Sequence, residues 1–338
     1  MVLYVVGLGL WDEKDITLRG LEAVRGSVRV YLEAYTSILM SKDYQRNLEE
    51  LYGKSIILAH RETVELESDA ILANAQNDDV SFCVVGDPLS ATTHTDLILR
   101  ARQSVPPIPV KIIHNASIMT AIASSGLQPY NFGQTISVPF WTETWKPDSW
   151  MARIAENMQI GNHTLVLSDI KVREQSEHDM ARGIERFQPP RYMMIPQLIT
   201  QLLAASSHAT ATEQPQNAVL SADSTLAVAL CRMGTDTELI LAGTLGELLA
   251  LASPSIEELQ AEEEQDDADE MASEQELEKR RAERAQIRAI KAFGPPLHSL
   301  VLVGKRLHHL ERDYAAMHKV PGSKWDEVAR QVYECKEE

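Results

Sequence analysis

The stretch VVGDPLSATTHTD, Val84 to Asp96, concentrates the residue types that a ligand loop needs. Gly86 lacks a Cβ, so backbone there can approach a ligand closely. Pro88 stiffens the exit and cannot continue a sheet. Asp87 places a carboxylate among small neighbours. The apolar run Val80–Val85 leads into the loop, and apolar residues at helical spacing lead out of it from Asp96 to Arg102. A strand, a sharp turn and a helix start form the place where open α/β sheets bind ligands, outside the carboxyl ends of the strands. These residues fit a ligand loop and a plain turn equally, and other segments must decide.

Other chemistry-bearing residues are less specific. Gly7-Leu8-Gly9-Leu10 follows an apolar strand, but no third glycine follows and a polar segment, Trp11–Lys14, replaces an immediate helix. A dinucleotide fingerprint needs both. His94 and His114 read either as core histidines or as proton acceptors. Arg182, Arg186 and Arg191 suit a carboxylate, which guanidinium grips in bidentate fashion, or form a solvated face. His308, His309 and His318 fit no standard metal spacing and lack obvious carboxylate partners, so no metal is expected.

Alternating elements must position these residues. Val2–Val6, Val28–Glu33, Val80–Val85 and Val110–His114 read as strands. Helices are expected over Leu18–Val24, with Leu18, Leu21 and Val24 on one face behind a cap at Asp15–Thr17, and over Thr63–Ala75, Thr93–Gln103 and Ser117–Ser124. A second region has strands at His163–Leu167, Leu226–Cys231, Glu238–Leu241 and His298–Val303, and helices at Pro196–Ala205 and Thr244–Leu251. In the first region, strand–helix alternation predicts a largely parallel sheet flanked by helices. We expect an α/β protein of two domains, 1–108 and 109–252 plus 293–313. A charged insertion, 253–292, separates the last strand. Its acidic block, Glu262–Glu270, is expected to be disordered, and its mixed-charge block to form a solvated helix. The polar tail, 314–338, is expected to be loosely held.

The 338 residues suffice for one large core or two ordinary ones. A net charge of −17 argues against direct binding of nucleic acid. Three cysteines, none in a CxxC pair, argue against a disulfide framework and suit a reducing cytosol, so a cytoplasmic location is expected. The apolar N-terminus has no basic flank and is too short to span a bilayer, so no membrane partner is expected.

In order along the chain stand GLGL, DITLRGLEAV, VYLEAYTSIL, VVGDPLSATTHTDL, HNASIM, FGQTIS, DIKVREQS, PPRYM, AGTL and PPLHSLV, from Leu3 to Val303. This series resembles the diphthine synthase family of the tetrapyrrole-methylase superfamily. The resemblance covers nearly the whole chain apart from the insertion and tail, and ATTHTDL and HNASIM are too idiosyncratic for generic turns. It implies two α/β domains of the tetrapyrrole-methylase type with the active site in the cleft between them. It implies a methyltransferase that uses S-adenosylmethionine and releases S-adenosylhomocysteine. The implied substrate is translation elongation factor 2, on a histidine that carries a 3-amino-3-carboxypropyl group. Methylation of its amine and carboxylate gives diphthine methyl ester, a step of diphthamide biosynthesis. Homodimers are also implied.

The family's donor-binding positions fall here on Leu10, Asp87, Ser90, Ser117, Ile118, Ser168, Met233 and His298. Two departures stand out. Leu89-Ser90 occupies the place of a usual Phe-Gly, and Leu167-Ser168-Asp169 that of Leu-Leu-Asp. A serine for glycine matters only if the backbone there is left-handed. The donor's methyl is already electrophilic, so catalysis is by positioning and no catalytic acid, base or nucleophile is expected. The fully methylated amine is a fixed cation. Glu143, Asp148 and the cluster Phe140, Trp141, Trp145 and Trp150 could receive it through carboxylate and aromatic faces, or the rings could simply pack the core. Two alternatives remain: a methyltransferase for a tetrapyrrole or other small molecule, and a binding protein whose donor site has decayed through Ser90 and Ser168.

Overall fold

The computed structural model describes all residues except 42, 67, 176–181, 185, 212–218, 268–272 and 336–338. The chain divides into two compact units. The first comprises Met1–Ala121, Ile170–Arg191 and Met233–Asp236, and the second Ile122–Asp169, Tyr192–Arg232 and Thr237–Glu338.

The first unit is built on five parallel strands: β1 (Leu3–Gly7), β2 (Arg29–Glu33), β3 (Ile57–Ala59), β4 (Val80–Val84) and β5 (Val110–Ile113), in the order β3-β2-β4-β1-β5. Side chains alternate along these strands, so each sheet face has its own core. Leu3, Val5, Phe82 and Val84 pack with Leu97 and Ile98 on one face. Val6, Leu8, Cys83 and Val85 pack with Val24 and Leu48 on the other. Both faces are covered, which is why β1 and β4 read as near-continuous apolar runs, with Ser81 of β4 buried against Ser27.

Helix Leu18–Gly26 starts where Thr17 Oγ1 accepts from Gly20 N at 3.0 Å. Its inward face carries Gly20 and Val24, whereas Leu18, expected beside Val24, is 81% exposed in the first turn. The expected helix over 63–75 is instead a π-helical turn at Glu62–Leu66 followed by a short helix, Ser68–Leu72. The expected boundary at 108 is corrected too. β5 pairs directly with β1, Leu3 opposite Val110, so the proline-rich segment Ser104–Pro109 is a connection inside the first sheet.

The second unit's sheet runs β11-β10-β12-β7-β6, from β6 (Ile136–Val138), β7 (Thr164–Ser168), β10 (Leu226–Cys231), β11 (Leu239–Thr244) and β12 (His298–Leu302). This second sheet is mixed, a pairing on which the sequence made no prediction. Only β6–β7 is parallel, while β7–β12, β12–β10 and β10–β11 are antiparallel. A short turn between β10 and β11 permits only that sense. β8 (Ile170–Lys171) and β9 (Arg191–Tyr192) form a separate two-stranded pair. Helix Ile195–Ala211 brings Leu198, Ile199 and Leu202 into the second core, beside Phe293 and Leu300.

Two further expectations are corrected in this unit. The acidic block, expected to be disordered, is helical over Ile256–Asp267, its remainder at 268–270 lying outside the described residues. The next helix, Glu274–Phe293, faces it with arginines at three- and four-residue spacing. Arg281 and Arg284 donate to Asp266 at 3.3 and 3.0 Å, and Arg288 donates to Glu262. These cations offset the repulsion that composition alone implied. The tail, expected to be loose, is docked. Trp325 is fully buried with its indole N–H on Arg312 O, and Tyr333 Oη accepts from Leu226 N at 2.9 Å.

Candidate functional site

The order of the first sheet singles out one position. From β1 the chain passes toward β2, and from β4 it passes toward β5, on opposite sides. The crevice at the carboxyl ends of β1 and β4 is therefore the topological switch point, where open α/β sheets bind ligands. Gly9 and Gly86, which follow these strands, join there. Gly86 N donates to Gly9 O at 2.6 Å, and Gly9 N to Gly86 O at 3.3 Å. Both have left-handed backbones, φ 86° and 78°. A Cβ on Gly86 would sit 3.3 Å from Ser117 Cβ, so Ser117 lies directly against it.

Asp87 organises the loop that follows. Its Oδ1 accepts from Leu89 N at 3.0 Å and Ser90 Oγ at 3.3 Å, and its Oδ2 from His114 Nδ1 at 2.7 Å and Asn115 N at 3.2 Å. Burial opposes the charge, but these hydrogen bonds outweigh it and hold the carboxyl below its ordinary value. The backbone at Ser90 is not left-handed; Ala91, the next residue, is, at φ 54°. A serine in glycine's place therefore meets no conformational obstacle. His94 is buried against Phe82 and Tyr35, its Nδ1 on Pro88 O at 3.2 Å. Burial lowers its basicity, so it is a core histidine that ties the loop down.

Residues that composition did not point to complete the crevice. Asn115 Nδ2 reaches both Gly7 O and Asp15 O at 3.0 Å. Asp15 Oδ2 accepts from Leu10 N at 3.0 Å and Trp11 N at 2.8 Å. Gly234, beside Met233, lies so close to Leu10 that an added Cβ would be 3.0 Å from its side chain. Ser117 Oγ accepts from Met119 N at the start of helix Ile118–Ala121. Asn115 lies in the HNASIM string and Asp15 in the expected cap, but an Asn or Asp soon after a strand end is common in turns of every kind and did not mark either as a support of the crevice.

Six of the eight expected donor residues, Leu10, Asp87, Ser90, Ser117, Ile118 and Met233, thus belong to the first unit. Ser168 and His298 belong to the second, where Ser168 Oγ donates to His298 O across the β7–β12 ladder. His298 is 5% exposed; its Nε2 donates to Pro295 O at 3.1 Å and its Nδ1 is buried with no partner. Burial, and then the nearby Arg232 charge, push its pKa down to about 4. The buried bare nitrogen is a ready acceptor for a ligand N–H or O–H.

The other candidates separate. Phe140 and Trp150 face the second core and Trp141 packs against it, both indoles donating to Pro147 O, while Trp145 is exposed. Three of the four rings, Phe140, Trp141 and Trp150, thus serve the core. Asp148 lies 3.6 Å from His208, and Glu143 is exposed. Arg191 is engaged by Glu174 at 2.6 Å, while Arg182 and Arg186 are exposed. His308 caps the helix His309–Ala316, accepting from Leu310 N. No group of three His, Cys, Asp or Glu among the described residues could hold a metal.

Residues 2–249 match the family model of the Tetrapyrrole (Corrin/Porphyrin) Methylases. The chain is 48% identical to the diphthine methyl ester synthase of Gibberella zeae, over 98% of this chain and 99% of the relative. It is 46% identical to that of Schizosaccharomyces pombe, over 98% of this chain and all of the relative. A crystal structure from Entamoeba histolytica, of a protein provisionally assigned as a diphthine synthase, is 36% identical and superposes with a TM-score of 0.69 over 94% of this chain and 98% of that one.

Proposed function

The chain belongs to the diphthine methyl ester synthase family of the tetrapyrrole methylases, and we propose that it methylates translation elongation factor 2 with S-adenosylmethionine. The family's enzymes are S-adenosylmethionine-dependent methyltransferases of diphthamide biosynthesis. The acceptor is the 3-amino-3-carboxypropyl histidine of the factor, and the product is diphthine methyl ester. The observation that carries this reading is the full-length likeness to the diphthine methyl ester synthases, together with the glycine-bridged switch-point crevice.

We assign Leu10, Asp87, Ser90, Ser117, Ile118, Met233, Ser168 and His298 as donor-binding residues. Bare backbone at Gly9 and Gly86 and the open Nδ1 of His298 fit a ligand rich in hydrogen-bonding groups. The donor, when bound, supplies an electrophilic methyl on sulfur. The protein's share is alignment and the exclusion of water. Asp87 shapes the loop against the donor, Asn115 and Asp15 fix the two glycine turns, and no side chain need form a bond to the methyl. The acceptor amine attacks as the free base. Three transfers to the amine, with a proton lost after each of the first two, give the quaternary ammonium, one transfer to the carboxylate gives the ester, and each transfer releases S-adenosylhomocysteine.

Two copies of the chain form the proposed working enzyme, in the cytoplasm. No helix among the described residues is long and apolar enough to cross a membrane. Isothermal titration with S-adenosylhomocysteine tests the donor site. One site per chain supports it, and absence of heat with no thermal stabilisation would favour a decayed binding protein.

A further inference from the structure

Arg232 makes more hydrogen bonds than its place at the end of a strand requires. It follows β10 with a left-handed backbone, φ 51°. Its N–H donates to Leu297 O at 2.8 Å, one step beyond the Cys231–His298 pair of the ladder. Its Nε donates to Thr237 O at 2.9 Å and to Thr237 Oγ1 at 3.0 Å. Its Nη1 donates to Phe293 O at 2.6 Å and to Pro295 O at 2.9 Å. The guanidinium therefore spans the β10–β11 turn, the end of helix Glu274–Phe293 and the loop that leads into β12.

Pro295 O is also the acceptor of His298 Nε2. One carbonyl thus receives both side chains. An acceptor at Nε2 requires a proton there, so the lone pair is left on Nδ1. Lysine could not reproduce this arrangement, because the fork reaches three acceptor residues from a planar group. We propose that Arg232 is a positioning residue for the donor site, fixing Pro295 O so that the His298 ring presents Nδ1 as an acceptor to the bound S-adenosyl ligand. This rests on the assignment of His298 to the donor site.

Among the described residues, the backbone carbonyls of Phe293, Gly294 and Pro295 lie near the His298 ring. Arg232 faces it from β10, the Cys231 thiol lies opposite in the ladder, and the Phe293 ring stands 6.2 Å away. Ser168, from β7, reaches the His298 carbonyl. Desolvation and the Arg232 charge both disfavour the imidazolium. Removing the charge should therefore make the ring easier to protonate, and protonation at Nδ1 would destroy the acceptor.

The test compares Arg232→Met, Arg232→Lys and the unaltered chain by titration with S-adenosylhomocysteine between pH 5 and 8. The unaltered chain should bind with little pH dependence from this ring. Arg232→Met should lose roughly tenfold to a hundredfold in affinity at pH 8 and more on acidification. Arg232→Lys should lose affinity while staying nearly independent of pH. A folded Arg232→Met variant with unaltered affinity and pH profile would overturn the proposal. Nitrogen-15 NMR of the unaltered chain without ligand decides independently of folding or binding. It should show His298 protonated on Nε2 only at neutral pH; a proton on Nδ1 would refute the arrangement. If the unaltered chain binds no donor product while NMR shows the expected tautomer, the donor-site assignment fails and the proposed role of Arg232 falls with it, whereas binding by the unaltered chain with no loss in Arg232→Met overturns the role of Arg232 alone.

Discussion

Glu311 Oε1 accepts from His163 Nε2 at 3.2 Å, and both side chains are shut away from solvent. Gly304 N donates to His163 Nδ1 at 2.9 Å, so the histidine proton sits on Nε2 and points at the carboxylate. Gln128 N at 2.7 Å, Asn131 Nδ2 at 3.3 Å and His308 N at 2.8 Å donate to the same carboxylate. This carboxylate joins the start of β7 to the helix His309–Ala316, far along the chain.

Glu311→Ala should destabilise the fold by about 3–5 kcal/mol, since it leaves several buried donors without an acceptor. Burial opposes the charge, but hydrogen bonds from His163, Gln128 N and His308 N prevail and lower the Glu311 pKa from 4.5 to about 2. A depressed carboxyl stabilises above its unfolded pKa. That contribution, roughly 3 kcal/mol, should disappear as the pH falls from 4.5 to about 2. Denaturant unfolding at several pH values should show the slope in the unaltered chain and a shallower one in Glu311→Ala.

Asp87→Ala should weaken S-adenosylhomocysteine binding by about tenfold or more, because four hydrogen bonds that shape its loop are lost. Asp267→Ala, on the insertion, should leave affinity unchanged. Equal titration curves for the two variants would count against the site assignment.

Much of this organisation was legible from residue order alone. Val80–Val85 and Leu226–Cys231 are too apolar to be anything but buried strands, and the helix expected from Thr244 does begin there, at a capping box of Thr244 and Glu247. Other features depend on distant partners. The acidic block is repulsive by itself and becomes helical beside Arg281, Arg284 and Arg288. Trp325 and Tyr333 dock the tail by contacts with Arg312 and Leu226, which sequence spacing cannot reveal. At the site, the loop of Asp87 was visible from its small residues. The supporting Asn115 and Asp15 were not, because their use is set by which strand ends the sheet order brings together.

The insertion is separable only in part. Ala289 and Phe293, in the last turns of helix Glu274–Phe293, are buried. Deleting residues 257–284 should leave the melting temperature nearly unchanged, whereas deleting 257–291 should lower it by several degrees, since the second removes a buried turn. Calorimetry of the two deletions checks this, and equal melting would place the whole segment outside the fold.

Trp325→Ala should cost about 3–5 kcal/mol, the range expected for emptying a fully buried indole site. Urea unfolding gives the value. A loss below about 1 kcal/mol, the surface range, would mean that the tail is not part of the cooperative unit.

The most direct measurement is intact-protein mass spectrometry of elongation factor 2 bearing the 3-amino-3-carboxypropyl histidine, after incubation with this chain and S-adenosylmethionine. The mass should rise by up to four methyl groups, one of them removable by mild base as an ester. An unchanged mass, under conditions where the chain binds S-adenosylhomocysteine, would contradict the assigned reaction.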